Sequence, residues 1–217
     1  MTDEKKRELR SAAQLEILEL SNIPEIYWDE IKMFVPDNDK QAYMRLDEIK
    51  NNIIELSEPR MDIQNLLICS DKTGNGKTSW ALKILQYFAF KSAQQLYYQH
   101  DEDDCWCFFV TVADYVALSK EYDSKRRVKF FHMQDMIEKA RIVVFDDVAV
   151  GEYSRAEYMA LYNAIDKRVL NKQFCIFTSN FVDRDDSVLS NRLGTRLVDR
   201  IYDTSEKIVL NGEGVRH

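Results

Sequence analysis

The sequence predicts a three-layer α/β domain, a parallel five-stranded sheet with helices on both faces. Three observations carry that prediction. Five short apolar runs recur along the chain: "NLLICS", "CWCFFVTV", "RIVVFDD", "QFCIFTSN" and "EKIVL". They show little alternation of polar and apolar residues, as expected of strands buried on both faces. Segments with helical periodicity separate most of them, and strands alternating with helices build a parallel sheet.

Residues 1–20 form a charged, amphipathic lead in which Leu9, Ala12, Leu15, Ile17 and Leu18 fall at roughly helical spacing. This helix either packs on its own domain or docks a partner. Residues 21–34, "SNIPEIYWDEIKMF", read as a turn followed by mixed aromatic and charged residues. A helix follows, with Asp37 to Asp39 as capping candidates, a stripe of Ala42, Leu46, Ile49 and Ile53, and Pro59 as its breaker.

The first strand, 65–70, leads through a glycine-containing turn into helix 77–91, where Trp80, Ile84, Tyr87 and Phe88 share a face. Strand 105–112 precedes helix 113–121, and strand 141–147 precedes helix 155–171 with its stripe of Tyr158, Leu161, Tyr162, Ile165 and Val169. Strands 173–180 and 206–210 complete the set, and the acidic run "HDEDDC" at 100–105 reads as a solvated loop.

Composition narrows the function classes. Hydrophobic residues make up 45% and charged residues 31%, an ordinary globular balance. No apolar run approaches the roughly 18–20 residues that cross a bilayer, and the amino terminus lacks the apolar core of a secretory signal. The expected location is therefore the cytoplasm. A net charge of −7 excludes nucleic-acid binding through the bulk field and leaves only local basic patches. Of the four cysteines, Cys69, Cys107 and Cys175 lie in apolar runs, and the "CWC" spacing of Cys105 and Cys107 is too short for a usual zinc knuckle. They read as core residues.

Four elements carry chemistry. The first is "SDKTGNGKTSW", Ser70 to Trp80. It follows a buried strand and opens a helix, the context in which backbone N–H groups and a helix N-terminus cradle phosphate. Gly74, Asn75, Gly76, Lys77, Thr78 and Ser79 are the candidate ligand-binding residues. Lys77 would reach the β- and γ-phosphates, and Thr78 would place its hydroxyl on Mg²⁺. Asp71 stands where the usual pattern has its leading glycine. The bland alternative is a glycine turn with a capping threonine.

The second element is "RIVVFDD", an apolar strand ending in two carboxylates. Asp146 suits a role in holding hydrated Mg²⁺, and Asp147 suits a role in orienting or deprotonating an attacking water. The third is Asn180 at the end of "FTSN", placed to position water or to cap a turn. The fourth is "SNRLGTRLVDRIYD", in which Arg196 and Arg200 are four residues apart and share a helix face. An arginine reaching a neighbouring subunit's γ-phosphate accelerates transfer by about 10³–10⁵, although salt-bridged surface helices show the same spacing.

In this order and spacing the four elements resemble the AAA+ ATPases, members of the P-loop NTPase class. Within them the chain resembles the DnaC/DnaI group of replicative helicase loaders, with the transposition helper IstB as close kin. "GNGKT" is similar to Walker A, "VVFDDVAVGEYS" to Walker B with two aspartates, "FTSNF" to sensor 1 and "LGTRLVDRI" to the box VII segment. "SNIPEIYWD" and "VLNGEGVR" resemble the segments that open and close the ATPase core in this group. The match spans roughly residues 21–216.

The resemblance implies an AAA+ domain over 21–217 that binds and hydrolyses ATP with Mg²⁺, with residues 1–20 as a possible docking segment in place of the group's separate amino-terminal domain. Arg200 takes the finger position and Arg196 the other arginine of the segment. The chain stops seven residues after its last predicted strand, which leaves no room for a carboxy-terminal helical lid. That economy of size suits a phage-encoded loader. The implied partners are a DnaB-family replicative helicase, single-stranded DNA and further copies of the chain joined through ATP. Lys125, Arg126, Arg127 and Lys129 are the candidate DNA contacts, with Phe130 and Phe131 free to stack bases or pack inside; the plainer reading is a solvated loop leading into a helix. The alternatives to a loader are an IstB-like transposition helper and an adaptor that binds nucleotide without hydrolysis.

Overall fold

Five strands form one sheet: β1 (Asn65–Cys69), β2 (Cys107–Thr111), β3 (Ile142–Asp146), β4 (Phe174–Ser179) and β5 (Ser205–Val209). The computed structural model describes residues 15–58, 64–96, 106–120, 124–149 and 151–212. All strand pairs are parallel and the order is β2-β3-β4-β1-β5. β4 therefore lies between β1 and β3. Every residue of β1, β3 and β4 is buried, which is why their sequences are apolar except at the ends, where Asn65, Asp146, Thr178 and Ser179 stand. Each strand falls within a residue or two of its predicted range.

Helices cover both faces. The first, α1, includes residues 15–20. It is followed by α2 (Lys40–Asn51), α3 (Ile53–Leu56), α4 (Lys77–Leu96), α5 (Val112–Ser119), α6 (Ser124–Lys139), α7 (Arg155–Leu170), α8 (Ser187–Leu193) and α9 (Thr195–Asp203). One core gathers Leu18, Tyr43, Leu46, Ile49, Ile53, Trp80, Ile84 and Phe88 against one face of the sheet. The other gathers Tyr115, Ile137, Leu161, Ile165, Leu197 and Ile201 against the opposite face. Leu18 packs the α1 turn onto its own domain, while Leu15 and Leu20 are exposed. The preceding residues of the predicted amino-terminal helix, the run "HDEDDC" with Cys105, and residues 213–217 lie outside the described residues.

Local chemistry sets several boundaries. The Thr111 hydroxyl accepts the Asp114 N–H at 3.1 Å and starts α5. Ser154 and Glu157 form a capping box at the head of α7. Gly194, at φ 68°, separates α8 from α9, and a Cβ there would lie 3.1 Å from the Tyr158 ring. Tyr43 rather than Ala42 fills the buried stripe of α2. The basic segment, whose plainer reading is a loop leading into a helix, is itself helical from Ser124, because Phe130, Met133, Met136 and Ile137 anchor α6 to the core.

Arg168 of α7 is 1% exposed, although its charge marks it as a surface residue. Its Nη1 donates to the carbonyls of Ile137 and Ala140 at 2.5 and 2.8 Å. Its Nη2 donates to those of Arg141 and Phe174 at 3.3 and 2.9 Å. These bonds satisfy the carbonyls that leave the end of α6 and bind them to the starts of β3 and β4. Cys69, Cys107 and Cys175 are buried. Burial pushes the Cys69 thiol up to about 11, which suits a packing role. Among the described residues no helix is long and apolar enough to cross a membrane.

Candidate nucleotide-binding site

The loop between β1 and α4 turns on two glycines, Gly74 at φ 75° and Gly76 at φ 92°, values that favour glycine. A Cβ on Gly76 would also lie 2.8 Å from the Met33 side chain. The loop is braced from behind. Ser70 N–H donates to Ser179 O at 3.1 Å, and Lys72 N–H donates to the Ser70 hydroxyl at 3.1 Å. The buried Asn75 amide donates to the same hydroxyl and to Leu210 O. Asn75 thus shapes the loop through its side chain.

Asp71 is exposed, and its backbone is not among the left-handed residues. The position therefore does not require glycine, and the departure from the usual pattern leaves the turn intact. Asp71→Gly is expected to change ATP affinity by less than about fivefold, the scale of an exposed charge. Titration of a fluorescent ATP analogue into both proteins checks this, and a larger shift would make Asp71 part of the turn's architecture.

Lys77 opens α4, with its ammonium donating to Lys72 O at 2.8 Å and to Asn75 Oδ1 at 3.3 Å. Burial lowers its pKa, and the carboxylates of Asp147 and Asp146 oppose that shift. The Thr78 hydroxyl donates to Asp146 Oδ1 at 2.9 Å, and Thr178 donates to the same oxygen at 2.6 Å. Burial raises the Asp146 pKa above the usual carboxylate value, against the hydrogen bonds from Thr178 and Thr78. Asp147 adopts φ 56°, a left-handed backbone that is uncommon for a side-chain-bearing residue. Its N–H donates to Thr178 Oγ1 at 2.8 Å and its carboxylate accepts from Asn180 Nδ2 at 3.2 Å. Thr178 holds the Asp146 carboxylate and the Asp147 backbone N–H in place; "FTSN" contains it, but only its inward position on β4 shows the role.

Lys77, Thr78, Asp147 and Asn180 share one cleft of about 690 Å³, lined by Thr73 through Ser79 with Asp147 and Asn180, and Asp146 reaches its edge through Thr78. Its other wall comes from residues that sequence reasoning missed: Tyr27, Lys32, Met33, Phe34, Pro36 and Tyr43. The aromatic content of 21–34 was the available signal, but the segment has no periodicity to show which way each side chain faces. The arrangement fits a nucleoside triphosphate. Glycine turns, a helix N-terminus and a lysine suit phosphates, and an apolar wall suits a base. The Thr78 and Asp146 oxygens suit Mg²⁺, which takes one or two protein ligands together with substrate phosphates.

Other candidates lie elsewhere. Arg196 and Arg200 of α9 line a separate hollow with Tyr162 and Asp199. Arg200 Nε sits 2.6 Å from Asp166 Oδ1 of α7, close but too poorly aligned for a hydrogen bond. Lys125, Arg126, Arg127 and Lys129 are exposed on α6. Phe130 packs against the core, whereas Phe131 is exposed beneath the Arg127 guanidinium at 5.7 Å.

The sheet order, the glycine loop and the carboxylates at the end of β3 define an α/β P-loop NTPase fold. The chain belongs to the family of IstB-like ATP binding proteins, whose sequence profile matches residues 61–217. Among curated proteins none matches this sequence. The fold is similar to the crystal structure of the DnaC helicase loader, at 20% identity and a TM-score of 0.60, covering 87% of this chain and 100% of that one. It is similar to DnaI at 19% identity and a TM-score of 0.59, covering 93% of each chain. It is also similar to the replication initiator DnaA bound to AMPPCP and single-stranded DNA, at 14% identity and a TM-score of 0.62, covering 88% of this chain and 52% of that one.

Proposed function

We propose that this protein binds and hydrolyses ATP, assembles with copies of itself, and helps place a hexameric DnaB-family helicase on single-stranded DNA during replication. The observation that carries the hydrolysis reading is the Asp147–Asn180 pair at 3.2 Å, aimed into the same cleft as Lys77. A pure binding module has no need of a carboxylate held in a left-handed backbone beside the phosphate loop.

In this reading the loop from Gly74 to Ser79 and the head of α4 hold the phosphates. Lys77 leaves its loop acceptors to pair with them. Thr78 and Asp146 hold Mg²⁺, which supplies charge neutralisation on the phosphates. Asp147 accepts the proton of the attacking water while Asn180 keeps the carboxylate oriented. Arg200, with Arg196 beside it, completes the site of a neighbouring copy, in keeping with a place outside its own cleft. Lys125, Arg126, Arg127 and Lys129 track DNA phosphates, with Phe131 offering a ring to a base.

The loader role is supported by the end-to-end likeness to DnaC and DnaI, with residues 1–20 as the docking segment. The family match favours a second reading, a transposition helper of the IstB kind. Two measurements separate the possibilities. Wild type should hydrolyse ATP at least tenfold faster than Asp147→Asn in the presence of single-stranded DNA and helicase, and equal rates would leave a binding adaptor. Co-purification with a DnaB-family helicase in ATP should succeed; an empty bound fraction would reject the loader and favour the transposition helper.

A further inference from the structure

Asp39 is a buried carboxylate, 1% exposed, that the proposed reaction does not use. It stands at the N-cap position of α2, where the sequence suggests a capping role, yet its side chain makes no capping hydrogen bond. Its two oxygens instead accept backbone N–H groups from the far end of the chain. Asn211 N–H donates to Oδ1 at 2.7 Å and Gly212 N–H donates to Oδ2 at 2.7 Å. Hydrogen bonds to an ionised acceptor are roughly twice as strong as neutral ones.

The other side of the same three-residue segment holds the phosphate loop. Leu210 N–H donates to Cys69 O at 2.9 Å, where β1 ends. Leu210 O accepts the Asn75 amide at 3.0 Å, and Asn211 O accepts the Lys72 ammonium at 3.0 Å. Asn75 and Lys72 are also the residues whose oxygens hold Lys77. Gly212 fits closely against the clamp: a Cβ there would lie 2.6 Å from Pro36 Cγ and 2.7 Å from Asp39 Oδ2. Pro36 in turn lines the nucleotide cleft.

We propose that Asp39 is a positioning residue for the phosphate loop, acting through the strut Leu210–Gly212. Ser70 and Asn75 brace the loop from within, and Asn75 needs Leu210 O in place to complete its own set. A carboxylate fixing the strut from behind sets where that carbonyl stands. The consequence for ATP rests on the proposed nucleotide site; the consequence for loop order does not.

The test uses Asp39→Asn, which keeps the side chain's volume but faces one backbone donor with an amide donor. Gly212→Ala disturbs the same clamp from its other side, and Ile165→Val, in the opposite core, controls for a loss of stability alone. Hydrogen exchange of the 70–77 amides in nucleotide-free protein should quicken about tenfold in both clamp variants and stay unchanged in Ile165→Val. Binding of a fluorescent ATP analogue should weaken about tenfold in the clamp variants, with the hydrolysis rate at saturating ATP within about twofold of wild type. Loop exchange at wild-type rates in both folded clamp variants would overturn the proposal. Failure of wild type to bind the analogue would overturn the nucleotide site, while the exchange data would still decide the clamp.

Discussion

Arg200→Ala is expected to leave ATP binding intact and to slow hydrolysis in the assembled protein by about 10³-fold or more. The two halves of this result follow from one placement. Arg200 lies on α9 in a hollow apart from the cleft formed by Lys77, Thr78, Asp147 and Asn180, so a protomer's own nucleotide does not need it. Its guanidinium is held beside Asp166 without a well-aligned hydrogen bond, a contact that a triphosphate on a neighbouring copy can replace. Lys77→Ala should show the opposite pattern, losing ATP binding itself. Mixing the two variants gives the sharper measurement. On the proposed roles, Lys77→Ala subunits would carry a finger and no working cleft, and Arg200→Ala subunits a cleft and no finger. Partial recovery of ATPase activity on mixing is the expected outcome. A mixture as inactive as its parts, or an Arg200→Ala protein that hydrolyses ATP at the wild-type rate, would remove Arg200 from the finger role.

The parts of this site that were legible in the sequence are those whose chemistry sits at strand ends. A strand buried on both faces is apolar over most of its length, so polar residues at and beyond its end stand out. Asp146 ends such a run, Asp147 and Asn180 follow one directly, and Lys77 and Thr78 follow one across the glycine turn. What could not be read is the lateral order of the strands, because any order of five parallel strands yields the same apolar pattern. The order matters here: β4 inserted between β1 and β3 is what lets the Thr178 hydroxyl bond both Asp146 and the Asp147 N–H. The cleft wall from Tyr27 to Pro36 was hidden for a different reason. That stretch is largely irregular, so no period tells which side chains face the ligand. Asp39 was legible as a cap by its position, and its actual partners are 172 and 173 residues away, a separation no local rule reaches.

Arg168 was hidden by its charge rather than by its position. It follows Leu161 and Ile165 by seven and three residues, the spacing of the buried stripe of α7. A charged residue at such a position must find partners or unfold the helix, and Arg168 finds four carbonyls, those of Ile137, Ala140, Arg141 and Phe174. No carboxylate among the described residues joins them. Arg168→Ala leaves those acceptors unpaired inside the core and opens a cavity, and the expected loss is about 3–5 kcal/mol. For a chain of this length that lowers the thermal midpoint by about 10 °C. Arg168→Met, which fills the space without restoring the donors, should recover the part of the loss due to the cavity and leave the rest. Thermal melts of the three proteins check both statements. Melting points within about 2 °C of one another would show that water reaches the α6 terminus and that the guanidinium is not what holds it to β3 and β4.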